Sequence, residues 1–354
     1  MGENQVNTPQ KKLLYEVSII RPIVIFLLVF LHSFTKIAAG GGYTNDYQLA
    51  SPYQWLCWLI LGFMLETFVM VSGYVFAYQS LDLNRSYHFI PFFWKKFKRL
   101  IVPMLVFGLA YYFCFLYNPD TFELKPFLMK LFSGCGHLWF LPMLFWCFLA
   151  IWAIDRFHLS SWLTLILLAG VSIAPLPSLP LGFARLPHFI FYVYAGYFLW
   201  TKRGFLLDHC LKTSYIVAFW LLYVLLVVVV HLLLPEPASS MTTLQKGMVI
   251  GVSVMTKLLM SCCGIMALYL TVCKTTIKEG YRPKQWVIDA SNDCYGVYVY
   301  HQFILVFLYF FTPIVSLSHP LLVPWIGFIV VFAVSLLLTE LTLKTKVGQF
   351  LIGR

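Results

Sequence analysis

Apolar stretches separated by short polar punctuation fill nearly the whole chain, and each is close to the 20 or so helical residues that cross a hydrocarbon core. The runs predict spans at about 17–38, 55–80, 99–117, 137–155, 160–176, 184–201, 214–234, 246–273, 294–314 and 322–343. The expected fold is therefore an all-α polytopic membrane protein, a bundle of about ten transmembrane helices. The 160–176 run is short and ends in PLPSLPLG, and the 184–201 run holds Arg185 and His188, so an eight- or nine-span variant fits as well. The segment TFELKPFLMKLF (121–132) alternates apolar and polar residues and is too short to cross. It is expected either to lie along the outer interface or to cover the bundle as an ordinary loop helix.

Composition agrees with a bilayer as the main solvent. Of 354 residues, 60% are hydrophobic, 18% aromatic and only 11% charged, against about 25% charged in a soluble domain. The net charge of +11 does not point to nucleic acid, because the cations sit in short clusters at span ends instead of forming a stripe. Lys11, Lys12, Lys95, Lys96, Lys98, Arg99, Lys202, Arg203, Lys212, Lys274, Lys278, Arg282, Lys284, Lys344, Lys346 and Arg354 all fall on one side if the N-terminus is cytoplasmic. The opposite loops hold few, such as Lys125 and Lys130. This is the positive-inside pattern, and it predicts a multi-pass protein of the plasma membrane with both termini cytoplasmic. One membrane domain is expected over 1–354, with 1–16 as a cytoplasmic N-terminal segment, the first apolar run retained as a span, and 344–354 as a cytoplasmic tail. Nine cysteines are scattered with no CxxC and no Cys/His spacing for a metal.

Ionisable groups inside a membrane are costly, so they are the first place to look for chemistry. The candidates are Arg21 and His32 in the first span, Glu66 in the second, Lys257, His301 and Glu340. Arg21 and His32 are separated by close to three helical turns and project from one face about 16 Å apart along the axis. Arg21 is suited to gripping a phosphate or carboxylate, and a neutral His32 to accepting a proton from a hydroxyl. The plain alternatives are a snorkelling arginine and a packed polar histidine. Glu66 either orients His32, pairs with Arg21, or is a hydrogen-bonded structural carboxyl. The Lys95–Arg99 cluster is either a topology determinant or a site for a polyanion. Ser72 and Gly73 suit the close approach of two helices, or of a helix and a ligand arm.

These residues also stand in segments that resemble a known family. The first span, RPIVIFLLVFLH, resembles the arginine, ten residues, histidine signature of the membrane acyltransferase type 3 family. ETFVMVSGYVFAY, KKFKRLIVP, HLWFLPMLF and YGVYVYHQFI follow in the order expected of that family. The resemblance implies a ten-helix enzyme that takes an acyl group, commonly acetyl, from acyl-CoA at the cytoplasmic face and transfers it to a hydroxyl of a glycan. By the same resemblance His32 matches the essential histidine and Arg21 its paired arginine. Lys96 and Arg99 occupy the positions of a basic pair that is usually two arginines, and lysine at 96 keeps the charge but gives up the planar fork. Trp139 is drawn towards the substrate cavity, and Ser72 and His301 are set beside it.

The expected reaction is O-acylation of a cell-envelope glycan or polysaccharide with acyl-CoA, probed first as acetyl-CoA, as co-substrate and no bound cofactor. Catalysis is expected from His32, Arg21 and Glu66, acyl-CoA binding from Arg21, Lys96 and Arg99. Direct transfer and an acyl-histidine relay are both open. The bilayer, the glycan acceptor and glycan-synthesis enzymes are the expected partners. The rival reading is a secondary transporter of a sugar or lipid-linked glycan, against which stands the lack of matching Gly/Pro-broken spans in two halves.

Overall fold

The computed structural model describes residues 13–35, 51–85, 87–159, 161–173, 182–235, 238–277, 281–319 and 321–352. The N-terminal polar segment, residues 36–50 and most of the Pro-rich stretch after residue 173 lie outside them. The described residues form helices and connections, with no strand. In chain order the helices are α1 Tyr15–Phe34, α2 Ser51–Leu61, α3 Met64–Ala77, α4 Phe89–Lys96, α5 Val102–Phe115, α6 Leu124–Ser133, α7 Phe140–Arg156 and α8 Trp162–Ile173. They continue as α9 Leu186–Thr201, α10 Arg203–Cys210, α11 Thr213–Val228, α12 Thr243–Thr276, α13 Gln285–Phe310, α14 Ile314–Leu317, α15 Val323–Leu343 and α16 Lys346–Leu351.

Seven stretches of the described residues are long and apolar enough to cross a membrane: Tyr15–Phe34, Tyr53–Asp82, Phe89–Phe115, Gly136–Arg156, Thr213–Leu233, Thr243–Thr276 and Val323–Leu343. Three of the ten predicted spans are absent from that set, for two reasons. The 12 residues of α8 and the 16 of α9 are short. The 26 residues of α13 have the length, but the span begins at Gln285, nine positions before its predicted start, and takes in Asp289, Asn292 and Asp293 along with His301 and Gln302. Those polar groups lower its hydropathy.

Boundaries moved where a helix continued through polar residues. The third helical stretch starts at Phe89, so Lys95, Lys96, Lys98 and Arg99 lie on the helix and not in a loop before it. Over Phe97–Ile101 the turn widens to an i→i+5 bond, with the Val102 N–H donating to the Phe97 carbonyl. The regular helical partner of the Arg99 carbonyl would be residue 103, which is proline and has no N–H. The Tyr295 hydroxyl of α13 takes its place, donating to the Arg99 carbonyl over 3.0 Å. The tail after α15 folds into the short helix α16, whose start is capped by the Thr345 hydroxyl accepting from the Gly348 N–H at 3.0 Å. Helix α6 falls on the predicted interfacial segment and is mostly exposed, with Phe127 and Leu131 packed against Tyr112 and its neighbours.

α3 and α9 cross in close contact, and two glycines allow it. A Cβ on Gly73 would run into the Val193 carbonyl of α9, and one on Gly196 into the Met70 carbonyl of α3. Small residues let helix backbones approach in a membrane, where packing rather than the hydrophobic effect drives association. The close-approach reading of Gly73 thus gains a reciprocal partner that the sequence did not reveal. Gly73→Ala or Gly196→Ala should destabilise the fold by about 1–3 kcal/mol, read as a lower unfolding midpoint in detergent by intrinsic fluorescence. An unchanged midpoint in both variants would contradict the crossing.

Candidate active site

His32 and Arg21 leave the same face of α1, and the groups they meet come from elsewhere in the chain. His32 is half-buried, and its Nδ1 lies 2.8 Å from Nε2 of His301 on α13. The two rings are 12° from parallel with centres 5.1 Å apart. A ring nitrogen sits roughly 1.1 Å from the centre of its own ring, so two imidazoles joined by such a contact can hardly be further apart. They therefore meet edge to edge, nearly in one plane, and not face to face. His301 is fully buried, and its Nδ1 lies 2.6 Å from the Tyr298 carbonyl.

A third histidine joins from the turn that precedes α7. His137 is buried, with its ring centre 4.9 Å from that of His301. Its Nε2 donates to the Val299 carbonyl over 3.0 Å, and the Tyr298 hydroxyl donates to the His137 carbonyl over 2.7 Å. One residue past His32, the Ser33 carbonyl accepts from the Tyr309 hydroxyl over 2.8 Å, which ties α1 to α13 beside the dyad. Three histidines together suggest a metal, but His301 uses both nitrogens and His137 gives one to a carbonyl. No group of three metal-binding side chains occurs among the described residues.

At the other end of the face, Arg21 is partly accessible and lies within electrostatic reach of Arg99 and of Cys294. Lys96 is within reach of Arg99 in turn. The fold thus gathers the three cations named from the sequence. Among the described residues no carboxylate forms an ion pair with any of them. Lys96 has another contact: its Nζ sits 3.2 Å from the Phe148 ring centre and 5.4 Å from that of Phe92, a cation–π seat. Arg21 and the exposed Arg99 keep the planar forks that suit phosphate.

On α1 between the two ends lies a small, partly open apolar cleft of about 20 Å³. Val24, Ile25 and Leu28 of α1 form one wall, Met64, Leu65 and Phe68 of α3 another, and Phe140 and Tyr298 complete it. The α1 wall is the stripe one and two turns along from Arg21 towards His32, which itself lies three turns along.

The other predicted residues stand around this axis. Glu66 has its neighbours Leu65 and Phe68 in the cleft wall but turns away on the helix, so that Oε1 lies 3.8 Å from His188 Nε2 on α9. Neither expected partner, His32 or Arg21, pairs with it. Ser72 is half-buried, and its hydroxyl donates to the Phe68 carbonyl of its own helix over 3.2 Å. Trp139 is half-buried at the start of α7, with the Arg185 guanidinium 3.6 Å from its ring centre and Phe189 alongside at 6.0 Å. Sequence reasoning gave no role to Arg185, His188 or His137. Their signal was polar character at span ends, which is also what ordinary interfacial residues show.

Opposite this cluster, where α1 begins, a second polar network was missed altogether. Glu16 is buried and accepts from the Tyr74 hydroxyl at 2.7 Å and from Arg203, whose Nη2 is 3.1 Å away. Arg203 also donates to the Tyr74 hydroxyl over 2.9 Å, and Tyr269 stands 3.3 Å from that oxygen. Burial opposes the charge on Arg203, but Tyr74 and Glu16 outweigh it and raise its pKa, so it remains a cation.

A family model of an acyltransferase domain matches residues 14–340. The chain belongs to the acyltransferase 3 family of membrane acyltransferases. That span takes in every helix that builds the histidine cluster, the cleft and the basic end. No curated protein and no solved structure matches the chain.

Proposed function

We propose that this acyltransferase is an acyl-CoA-dependent O-acyltransferase of the plasma membrane that moves an acyl group, acetyl in the first instance, to a hydroxyl of a cell-envelope glycan or polysaccharide. What carries the reading is the arrangement along one face of α1: Arg21 at one end with Arg99 and Lys96 near it, His32 at the other, and the apolar cleft between them. The two ends are about 16 Å apart, too far for one small ligand but within the length of an extended CoA thioester. The CoA phosphates are held by Arg21 and Arg99, with Lys96 adding charge nearby. The acyl-pantetheine arm follows the line of the cleft, which has to widen to take it, and the thioester meets His32.

The basic end faces the cytoplasm by the positive-inside pattern, where acyl-CoA is made, and both termini lie on that side. The acceptor then approaches from the opposite side, past Trp139 and Arg185, and aromatic and basic groups there suit a sugar ring or an anionic glycan. His32 takes the proton of the acceptor hydroxyl as its oxygen attacks the acyl carbon. The C–S bond breaks, and the proton passes to the CoA thiolate, which leaves as the thiol.

The direct experiment supplies [14C]acetyl-CoA to the purified protein in liposomes, with envelope material of the native organism as acceptor. Label is expected in the envelope fraction, with release of one free CoA per acetyl transferred. Solute movement with no CoA release would instead favour a transporter, and no label in the envelope would overturn the proposal.

A further inference from the structure

A carbonyl oxygen can only accept a hydrogen bond, so the 2.6 Å contact with the Tyr298 carbonyl places the proton of a neutral His301 on Nδ1. Its Nε2 then offers a lone pair. The 2.8 Å contact between that atom and His32 Nδ1 has to be donated by His32. A neutral His32 is therefore the Nδ1–H tautomer, and its Nε2 carries the free lone pair. The edge-to-edge meeting of the rings, 12° from parallel, directs that lone pair away from His301.

We infer that His301 is a positioning residue for acyl transfer: backed by the Tyr298 carbonyl, it fixes the tautomer and ring direction of His32 so that Nε2 is the atom that meets the acceptor hydroxyl. This rests on the proposed role of His32 as general base. The logic is that of any catalytic imidazole whose second nitrogen is held by a fixed partner. When Nε2 takes the hydroxyl proton, the Nδ1–H remains donated to His301, and the neutral His301 lone pair faces the imidazolium until Nε2 releases its proton to the thiolate. His301 forms and breaks no covalent bond.

The surroundings leave His301 little else to do. It is fully buried, the His137 ring packs across it at 76°, and α13 presents Tyr298 beside it. His137 donates Nε2–H to Val299 and its buried Nδ1 meets no partner, so His301 and not His137 is what His32 Nδ1 meets in this structure. Nothing local in the sequence announces the pair, since its members are 269 residues apart.

Two substitutions separate positioning from packing. The amide oxygen of His301→Gln reaches the place of Nε2 and still accepts from His32, whereas His301→Leu fills space without an acceptor. Both are assayed as purified, monodisperse protein with [14C]acetyl-CoA and native envelope, beside His32→Ala and His32→Ala/His301→Leu. His301→Leu is expected to lower kcat by about 100-fold with the KM for acetyl-CoA within about twofold, and His301→Gln to stay within about tenfold of wild type. The double variant should be no slower than His32→Ala, because His301 acts only through His32. Equal losses in the Gln and Leu variants, a loss confined to KM, or a double variant far slower than His32→Ala would each overturn the positioning role. If His32→Ala abolishes transfer while His301→Leu matches wild type, the base assignment stands and the positioning role falls. If His32→Ala transfers normally, the base assignment itself fails and takes the positioning role with it.

Discussion

His32→Ala should reduce acetyl transfer by about 10²- to 10⁴-fold, the range that a positioned general base contributes, while acetyl-CoA still binds. The alanine removes the lone pair at the end of the cleft and leaves the His301 Nε2 without its donor, yet the α1 backbone stays tied to α13 through the Ser33 carbonyl and Tyr309. The unfolding midpoint should therefore move little. Arg21→Ala should behave differently. Losing a charged hydrogen-bond partner to a phosphate is worth about 1.5–3 kcal/mol, so the KM for acetyl-CoA should rise by about 10- to 100-fold with a smaller effect on kcat. Initial rates over a range of acetyl-CoA concentrations distinguish the two. The same kinetic change in both variants would refute the division of one helix face into a binding end and a reacting end.

The second large effect is on stability. Glu16→Ala should destabilise the fold by about 3–5 kcal/mol, because it leaves Arg203 and the Tyr74 hydroxyl without the acceptor that joins them. Arg203→Met should cost a similar amount by stranding a carboxylate that is only 5% exposed. The double change Glu16→Gln with Arg203→Met strands neither charge and should recover a good part of the loss. Thermal unfolding in detergent and the yield of monodisperse protein measure this. Single variants as stable as wild type would show that the network adds nothing. Four segments converge on it, α1, α3, α12 and the start of α10, so its loss is expected to loosen the end of the bundle that carries Arg21.

Solvent physics made much of this protein legible in one dimension. A chain that is 60% hydrophobic with apolar runs of bilayer length has to be helical, because lipid offers no partner to backbone groups. Periodicity alone put Arg21 and His32 on one face of one helix, and that face is where the cleft runs. The count of spans was less legible. α13 buries His301 and Gln302 in the bundle, where α1 and α15 pack on it, while Asp289 and Asn292 stay exposed near its start, and hydropathy cannot tell a polar group facing protein from one facing lipid. The basic cluster reads as the start of a helix, and the helix that carries it begins earlier, at Phe89.

The partners of the key side chains depended on the tertiary structure. By sequence Glu66 could meet His32, meet Arg21 or be a structural carboxyl, and the rotation of α3 turns it to His188. Arg21 and His32 began as two costly groups on one helix, and the sequence determined their residue types, their spacing and their shared face, because helical geometry is local. The fold decided what each one meets: Arg99 and Lys96 from the next basic segment, and His301 from a helix near the other end of the chain. Contacts between helices far apart in sequence depend on how each helix rotates and crosses its neighbours. Those choices are set by close packing, such as the Gly73–Gly196 crossing, and local patterns do not encode them.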